Sequence, residues 1–170
     1  VRVATCMRWT KTIKPGTTCS TPITSVDFLP TFTSLAKAKL PKKQPIDGTD
    51  ISPLLLGDEI AERSIFWHYP LYLQGKGLDI DLPNGKTYSW RGFPSTSLLR
   101  GQWKLIEFHE DDSIGLYNLR EDPGETNNLA KKIPEKAAKL RAELDAWQKR
   151  TKAPIPTLPN PECILESNKK

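Results

Sequence analysis

The sequence predicts an α+β protein in which a small antiparallel sheet of about four strands packs against a C-terminal helix. Short apolar runs separated by turn residues recur between residues 64 and 119, which is typical of antiparallel strands. A single long amphipathic pattern follows between residues 133 and 147 and indicates the helix. Before residue 45, a further strand and helix have the pattern of elements left over from a larger α/β domain.

Length and composition bound the class of protein. The chain has 170 residues, of which 37% are hydrophobic and 26% are charged, values that suit one rather polar domain with its own core. No apolar run approaches the ~20 residues of a membrane-spanning helix, so we expect no membrane partner. The net charge of +5 comes from scattered basic residues and not from a dense stripe, so we expect no nucleic-acid partner.

The N-terminal domain is predicted to end in residues 1–45, as a strand, a turn, a helix and a linker. Residues 1–9 are rich in β-forming side chains, and Lys14-Pro15-Gly16 forms a turn after them. A strand needs a partner sheet, so we expect residues 1–40 to be unstable alone. The first residue is Val1 and not Met, which we interpret as an upstream truncation.

Two helices are predicted on either side of a basic connector. Asp27 can cap the first, which should end near Ala38 and whose apolar positions have helical spacing: Phe28, Phe32, Leu35 and Ala36. The connector runs from Pro41 to Pro45. We expect the junction between the two structural units between residues 39 and 57, with the domain boundary between residues 45 and 46. The segment from Ile51 to Leu56 should form a short helix that ends at a glycine.

Residues 46–153 are predicted to form a C-terminal subdomain, and residues 154–170 an extended proline-rich tail. The strands are expected at residues 64–69, 95–100, 102–108 and 116–119. A polar loop from residue 74 to residue 94 is long enough to be either functional or disordered. Pro134 fits the first turn of the last helix, whose apolar stripe is formed by Ile133, Ala137, Leu140, Leu144 and Trp147. Trp147 should be its largest anchor on the sheet.

A search for catalytic patterns finds none. The two histidines, His68 and His109, are far apart in sequence, and neither has a neighbour that would complete a helical metal site. No GxSxG, HExxH, phosphate-binding glycine loop or EF-hand loop occurs. Asp79 and Asp81 could contact calcium, but a solvated loop is the better interpretation. We therefore predict no catalytic residue and no metal ligand in this chain.

The strongest candidate for binding is the group formed by Trp67, His68 and Tyr69. It lies at the end of a predicted strand and at the start of the long loop. Aromatic rings beside a histidine form a suitable surface for a sugar or an aromatic ester, so we predict that these three residues contact a substrate. The alternative, which the residues alone favour, is a hydrogen-bonded histidine with a purely structural role.

The cysteines leave the redox compartment open. The chain contains three, Cys6, Cys19 and Cys163, so they cannot all pair with one another. Cys6 lies in the strand-like run and is predicted to be a small buried apolar residue. Cys19 and Cys163 lie in polar segments and could form a disulfide if the fold brings them together.

Several segments, taken together and in order, resemble the C-terminal third of the type I sulfatases, members of the alkaline phosphatase superfamily. They are residues 2–17, 22–31, 47–55, 66–70, 100–106 and 116–130, and they include Pro-Ile-Thr-Ser-Val-Asp-Phe-Leu-Pro-Thr, Phe-Trp-His-Tyr-Pro and Leu-Tyr-Asn-Leu. Each motif alone is weak, but their order over nearly all of residues 1–161 makes the resemblance specific. Ala4 departs from the family's usual proline, and Thr10-Lys11 departs from its usual Pro-Gly.

The resemblance implies an enzyme that hydrolyses sulfate esters with a formylglycine and a calcium ion. The formylglycine is made from the Cys or Ser of a C-x-P-S-R-type motif, which this sequence lacks. No catalytic or calcium-binding residue can therefore be transferred, and both groups are expected upstream. The family's C-terminal subdomain borders the substrate cleft, so the expected partners are the N-terminal sulfatase domain of the same polypeptide and a sulfated small molecule or glycan. The resemblance also implies export, to a periplasmic, extracellular or lysosomal location.

Three hypotheses remain open from the sequence. The first is the C-terminal fragment of a sulfatase, inactive by itself. The second is a binding module for anionic glycans, which the positive charge and the aromatic residues beside His68 permit. The third is the end of a degenerate sulfatase-like protein whose upstream part also lacks the nucleophile.

Overall fold

The computed structural model of the chain describes residues 3–73, 80–81, 87–88 and 92–158. Contacts divide the chain into two units, Val1–Glu62 and Arg63–Lys170. The domain boundary expected between residues 45 and 46 concerns the domains of the resembled family and stays a prediction. Among the described residues, no helix combines the length and the hydropathy that a membrane crossing requires.

The described part of the first unit contains a 3₁₀ turn and two short helices. A 3₁₀ turn at Ser25–Asp27 leads into α1, Phe28–Leu35, which confirms the predicted helix but ends it three residues before Ala38. Helix α2, Ser52–Leu56, has a proline in its first turn and ends at Gly57, whose φ of 91° is in the left-handed region that glycine adopts readily.

Asp27 joins the start of α1 to the segment that precedes α2. Its Oδ2 accepts the N–H of Thr24 at 2.8 Å, and its Oδ1 accepts the N–H of Thr49 at 2.9 Å. The hydroxyl of Thr31 donates to the carbonyl of Asp27 at 2.6 Å and accepts the N–H of Ile51 at 3.0 Å. We call the side chains of Asp27 and Thr31 together the Asp27 clasp. Both are fully buried, so their partners offset the cost of removing them from water.

The predicted N-terminal strand is wrong for the residues that the structure describes. Residues 3–9 have no strand conformation, and Cys6, which was expected to be buried, is exposed. The physical reason is that an extended segment becomes a strand only when a neighbour satisfies its backbone N–H and C=O groups. The described part of the first unit contains no strand that could pair with it.

The second unit contains the predicted four-stranded antiparallel sheet. Its strands are β1 (Ser64–Tyr69), β4 (Ser95–Arg100), β5 (Trp103–Phe108) and β6 (Ile114–Asn118), and they lie in the order β1-β4-β5-β6. This confirms the fold class, with β6 beginning two residues earlier than predicted. The turn at residues 109–113 joins β5 to β6.

The segment that was predicted to be a loop without regular structure holds a small ladder. Strands β2 (Ile80–Asp81) and β3 (Thr87–Tyr88) pair antiparallel, and Leu73 forms an isolated bridge with Gly92. The prediction was wrong at these positions because two-residue strands are too short to show a periodic pattern. Asp79 and the side chain of Asp81, the weak calcium candidates, lie outside what the structure describes.

Helix α3, Pro134–Thr151, covers one face of the four-stranded sheet. The register brings one apolar row under it: Phe66, Leu98, Leu105 and Leu116. The predicted stripe on α3 is confirmed, since Ala137, Leu140 and Leu144 are buried against this row. The ring of Trp147 stacks on that of Phe66, with centroids 4.8 Å apart and planes 4° from parallel. Trp147 thus anchors the end of α3, as expected, although it stays half-buried.

Gly48→Ala should destabilise the first unit strongly. An added Cβ would lie 2.0 Å from the carbonyl oxygen of Val26, a backbone atom that cannot move without displacing the Asp27 clasp. In the longer protein, extended upstream of Val1, we expect a loss of about 1–3 kcal/mol in the free energy of unfolding, with faster amide exchange at Thr49 and Ile51. Gly124→Ala is the matched control, because its Cβ would meet ordinary contacts of 3.6 and 3.8 Å. Equal melting temperatures for the two variants would contradict the prediction.

Candidate functional site

The three residues predicted to contact a substrate lie at the end of β1, but they do not form one surface. Successive side chains of a strand point to opposite faces of the sheet. His68 shares the helix-covered face with Phe66, and its ring lies 6.3 Å from that of Trp147. Trp67 and Tyr69 therefore lie on the opposite face, which we call the outer face. Tyr69 is 39% exposed, whereas Trp67 is half-buried.

A row of polar side chains crosses the helix-covered face next to the apolar row. His68 is paired across the strands with Thr96, and Thr96 with Glu107. Nδ1 of His68 lies 2.8 Å from the hydroxyl oxygen of Thr96, and Nε2 of His109 lies 2.7 Å from the same atom. The fold has therefore brought together two histidines that are 41 positions apart in the chain (109 − 68).

Glu107 connects these residues to α3. Its Oε1 accepts a hydrogen bond from Arg141 at 2.9 Å, and its Oε2 accepts one from Gln148, also at 2.9 Å. The same Oε2 lies 3.9 Å from Nδ1 of His109. We call the whole set the polar row: His68, Thr96, Glu107, His109, Arg141 and Gln148. Glu107 and Thr96 are buried, so these partners offset the cost of desolvating them.

The polar row also reaches the beginning of the C-terminal tail. Nε2 of His68 lies 3.0 Å from the carbonyl oxygen of Pro154, and the N–H of Ala153 donates to the carbonyl of Gln148 at 3.0 Å. Both ring nitrogens of His68 thus have partners within the chain. This is the geometry that the structural interpretation of His68 requires, and its role as a substrate contact stays a prediction.

Burial lowers the pKa of His109 below the ordinary value of 6.5. The carboxylates of Glu107 and Asp112 act in the opposite direction, and the ring of His68 adds to the lowering. Desolvation is the largest of these effects, so the ring is neutral at pH 7. Burial likewise raises the pKa of Asp145 on α3, with a further contribution from Glu107 that Arg141 opposes.

Sequence reasoning missed Thr96, His109 and the partners of Glu107. The alternation of the strands offered a partial signal, because His68, Thr96 and Glu107 each lie two positions from a leucine or phenylalanine of the apolar row. The register that aligns these positions could not be read from the strands one at a time. His109 follows the end of β5, outside any periodic pattern.

The described residues do not fit a metal site. No group of three or more His, Cys, Asp or Glu side chains in that part of the chain could hold an ion. The calcium that the family resemblance implies therefore has no set of ligands among the described residues. Cys19 is exposed, and Cys163 lies outside the described residues, so their disulfide stays a prediction.

Known proteins resemble the chain in sequence over most of its length, although no protein-family model matches it. A sulfatase of Formosa agariphila is 30% identical over 165 residues, which cover 91% of this chain and 28% of the relative. Human arylsulfatase A is 35% identical over 154 residues, which cover 81% of this chain and 30% of the relative. The chain thus spans less than a third of the length of either relative.

Solved structures place the fold among the sulfatases. A 2-O GAG sulfatase aligns with a TM-score of 0.55 and 26% identity, covering 81% of this chain and 27% of its own. A protein solved with its substrate, D-glucosamine-2-N,6-O-disulfate, aligns with a TM-score of 0.53 and 25% identity, covering 74% of this chain and 24% of its own. Together with the sequence relatives, these structures confirm the resemblance to the C-terminal portion of the type I sulfatases.

Acid should reduce the stability of the second unit through His109. The folded protein binds a proton at His109 less readily than the unfolded chain does, because its pKa is below 6.5. The unfolded state therefore takes up more protons as the pH falls through that value, and the free energy of unfolding decreases from about pH 6.5 downward. Urea unfolding at about pH 7.5 and about pH 5.5 measures the difference.

His109→Gln is the matched variant, because its amide can still donate to Thr96 but does not titrate. It should show a smaller loss of stability between the two pH values than the original chain. An equal loss in both proteins would contradict the assignment to His109.

Proposed function

We propose that this chain is the C-terminal part of a sulfatase, an enzyme that hydrolyses sulfate esters, and that it borders the substrate cleft. The observation that carries the proposal is the agreement of sequence and fold with sulfatases over more than four fifths of the chain. The substrate class that we propose is a sulfated glycan or small molecule. Two of the similar structures support it, one named as a GAG sulfatase and the other solved with a sulfated glucosamine.

The nucleophile and the metal would come from another part of the same polypeptide. This chain has no C-x-P-S-R-type motif from which a formylglycine could be made. The part of it that the structure describes offers no metal cage. Because the chain spans 28% of the Formosa sulfatase, a longer protein has ample length for both the formylglycine and the calcium ligands. We therefore propose that the chain alone does not turn over sulfate esters.

An N-terminal sulfatase domain is the proposed partner of the first unit. Val26, Leu29 and Phe32 recur at every third position on the 3₁₀ turn and α1, so they lie along one side. They are 47%, 55% and 60% exposed, respectively. Adjacent apolar side chains exposed in this way are typical of a surface that another part of a protein covers. Residues 1–40 are therefore expected to exchange their amide protons quickly unless that domain is present.

The wall of the cleft is proposed to include Trp67, His68 and Tyr69. Tyr69 is the direct contact in this proposal, because it is exposed on the outer face. Leu71 and Leu73 follow it at every second position and are 60% and 43% exposed. We call these three residues, Tyr69, Leu71 and Leu73, the apolar strip. An exposed aromatic ring can stack on the apolar face of a sugar.

The segment that carries the apolar strip is held in place from two sides. His68 fastens the end of β1 to Thr96, so in this proposal it supports the contact made by its neighbour Tyr69. The hydroxyl of Tyr72 donates a hydrogen bond to Glu110, and its ring lies 6.3 Å from that of Phe93. A surface held in this way can bind a substrate without first being ordered.

The proposed contact between Tyr69 and the substrate is tested by the variant Tyr69→Ala, made in a longer protein that extends upstream of Val1. We expect KM for a sulfated disaccharide to rise by about five- to tenfold, because one stacking contact is lost, while kcat on a small aryl sulfate stays unchanged. Leu158→Ala is the control, since Leu158 is an apolar residue of the tail that is 82% exposed. Equal KM values for Tyr69→Ala and the unaltered enzyme would contradict a direct contact.

His68→Ala in the same protein distinguishes the direct role from the supporting one. In the supporting role, KM should rise as in Tyr69→Ala, and the double variant should be no worse than the single ones. If KM of the double variant rose by the product of the two single increases, His68 would bind the substrate independently.

The activity of the chain alone and the upstream sequence separate the remaining hypotheses. Turnover of an aryl sulfate by the chain with calcium would contradict a non-catalytic part. Retention on heparin at physiological salt, lost in His68→Ala, would favour a glycan-binding module instead. A coding sequence that continues upstream without a C-x-P-S-R-type motif would indicate a degenerate sulfatase-like protein.

A further inference from the structure

The proton positions in the polar row follow from the partners of its nitrogen and oxygen atoms. The carbonyl oxygen of Pro154 can only accept a hydrogen bond, so Nε2 of His68 must carry the proton that faces it. Nδ1 of a neutral His68 then has no proton and accepts from the hydroxyl of Thr96. The oxygen of Thr96 accepts in turn from Nε2–H of His109. The neutral chain of hydrogen bonds therefore runs in one direction, from His109 through Thr96 to His68 and Pro154.

One nitrogen in this series of hydrogen bonds can take up an additional proton. Nδ1 of the neutral His109 carries no proton, yet it lies 3.9 Å from the carboxylate of Glu107. A proton placed there would face a negative charge and would leave every hydrogen bond of the chain in place. This imidazolium would be held between Glu107 on one side and the oxygen of Thr96 on the other.

A second proton has no such position. It could enter only at Nδ1 of His68, which would turn that nitrogen from an acceptor into a donor. The hydroxyl proton of Thr96, whose side chain is fully buried, would then lose its acceptor. The two rings would also both be charged, with their centroids 5.9 Å apart. Both effects disfavour the arrangement in which His109, Thr96 and His68 are hydrogen-bonded to one another.

We propose that His109, Thr96 and His68 form a proton-sensitive latch that fastens the start of the C-terminal tail to the sheet. The latch accepts one proton without opening and opens when a second enters. Opening frees the ring of His68 to rotate away from Thr96, which removes the hydrogen bond to Pro154 and releases the tail from that point. The inference does not depend on the proposed sulfatase activity, because it concerns only contacts within the second unit.

Charged groups from each element around the latch act on its protonation. Glu107 of β5 and Asp112 of the following turn favour a charged His109, and His68 of β1 disfavours it. Arg141 of α3 neutralises part of the charge of Glu107, and Asp145 interacts with both. The balance between the charges of Glu107 and Arg141 therefore sets how readily His109 takes up a proton.

NMR of the ring nitrogens in the ¹⁵N-labelled full chain tests the proton positions. In their neutral forms both histidines are expected as the tautomer protonated at Nε2. A neutral His68 protonated at Nδ1 would overturn the proposal.

Amide exchange at Ala153 tests the fastening of the tail, because its N–H donates to Gln148 at the point where the tail leaves α3. Thr96→Val removes the hydroxyl at nearly constant volume and should raise the exchange rate at Ala153 by about tenfold at neutral pH. Thr126→Val is the control, since it also removes one hydroxyl hydrogen bond, to Asp122, but lies outside the latch. Equal exchange in the original chain and in Thr96→Val would overturn the proposal. If Thr96→Val does not fold, the tautomer of the neutral His68 in the original chain decides alone.

Discussion

The antiparallel pairing of β1 with β4 determines the arrangement of the second unit. Residue 64 faces residue 100 across the strands, and this register aligns Phe66 with Leu98 and His68 with Thr96. A slip of one residue would turn every side chain of β1 to the other face of the sheet. Phe66 would then leave Trp147, and His68 would leave Thr96. The packing of α3, the polar row and the exposure of Tyr69 all depend on this one alignment.

The polar row lies directly beside the apolar row under the same helix, and the two stabilise the fold differently. The apolar row is favourable wherever it is excluded from water, because burial of leucine and phenylalanine needs no particular orientation. The polar row is tolerated only in one geometry, since Thr96 and Glu107 would each be costly to bury without their partners. This requirement fixes the end of β1, the end of α3 and the start of the tail together. It also makes this region sensitive to protonation.

The two units differ in how much of their apolar surface they bury. In the second unit, α3 packs on one face of the sheet. The residues fully buried there are Leu98, Leu105, Leu116 and Leu144. The first unit has the Asp27 clasp as its main fixed point and leaves Phe32 and Leu29 more than half exposed. This difference in burial would be expected in a sulfatase whose catalytic residues lie upstream of Val1 and whose second unit forms one wall of the substrate cleft. The second unit can be ordered by its own contacts, whereas the first leaves exposed the apolar side chains that we propose an N-terminal domain covers.

The sequence alone determined the helices, the four strands and the resemblance to the sulfatases, because each depends on local spacing. The stripe from Ala137 to Trp147 and the turn at Gly57 can be read from residues a few positions apart. Tertiary structure alone decided what the candidate residues do. Trp67, His68 and Tyr69 are neighbours in sequence, but pleating places them on opposite faces, and cross-strand pairing joins His68 to His109. The N-terminal segment shows the same limit, because a strand-forming sequence becomes a strand only where a partner satisfies its backbone. Long-range pairing is not encoded in any short segment, so it could be read only from the folded chain.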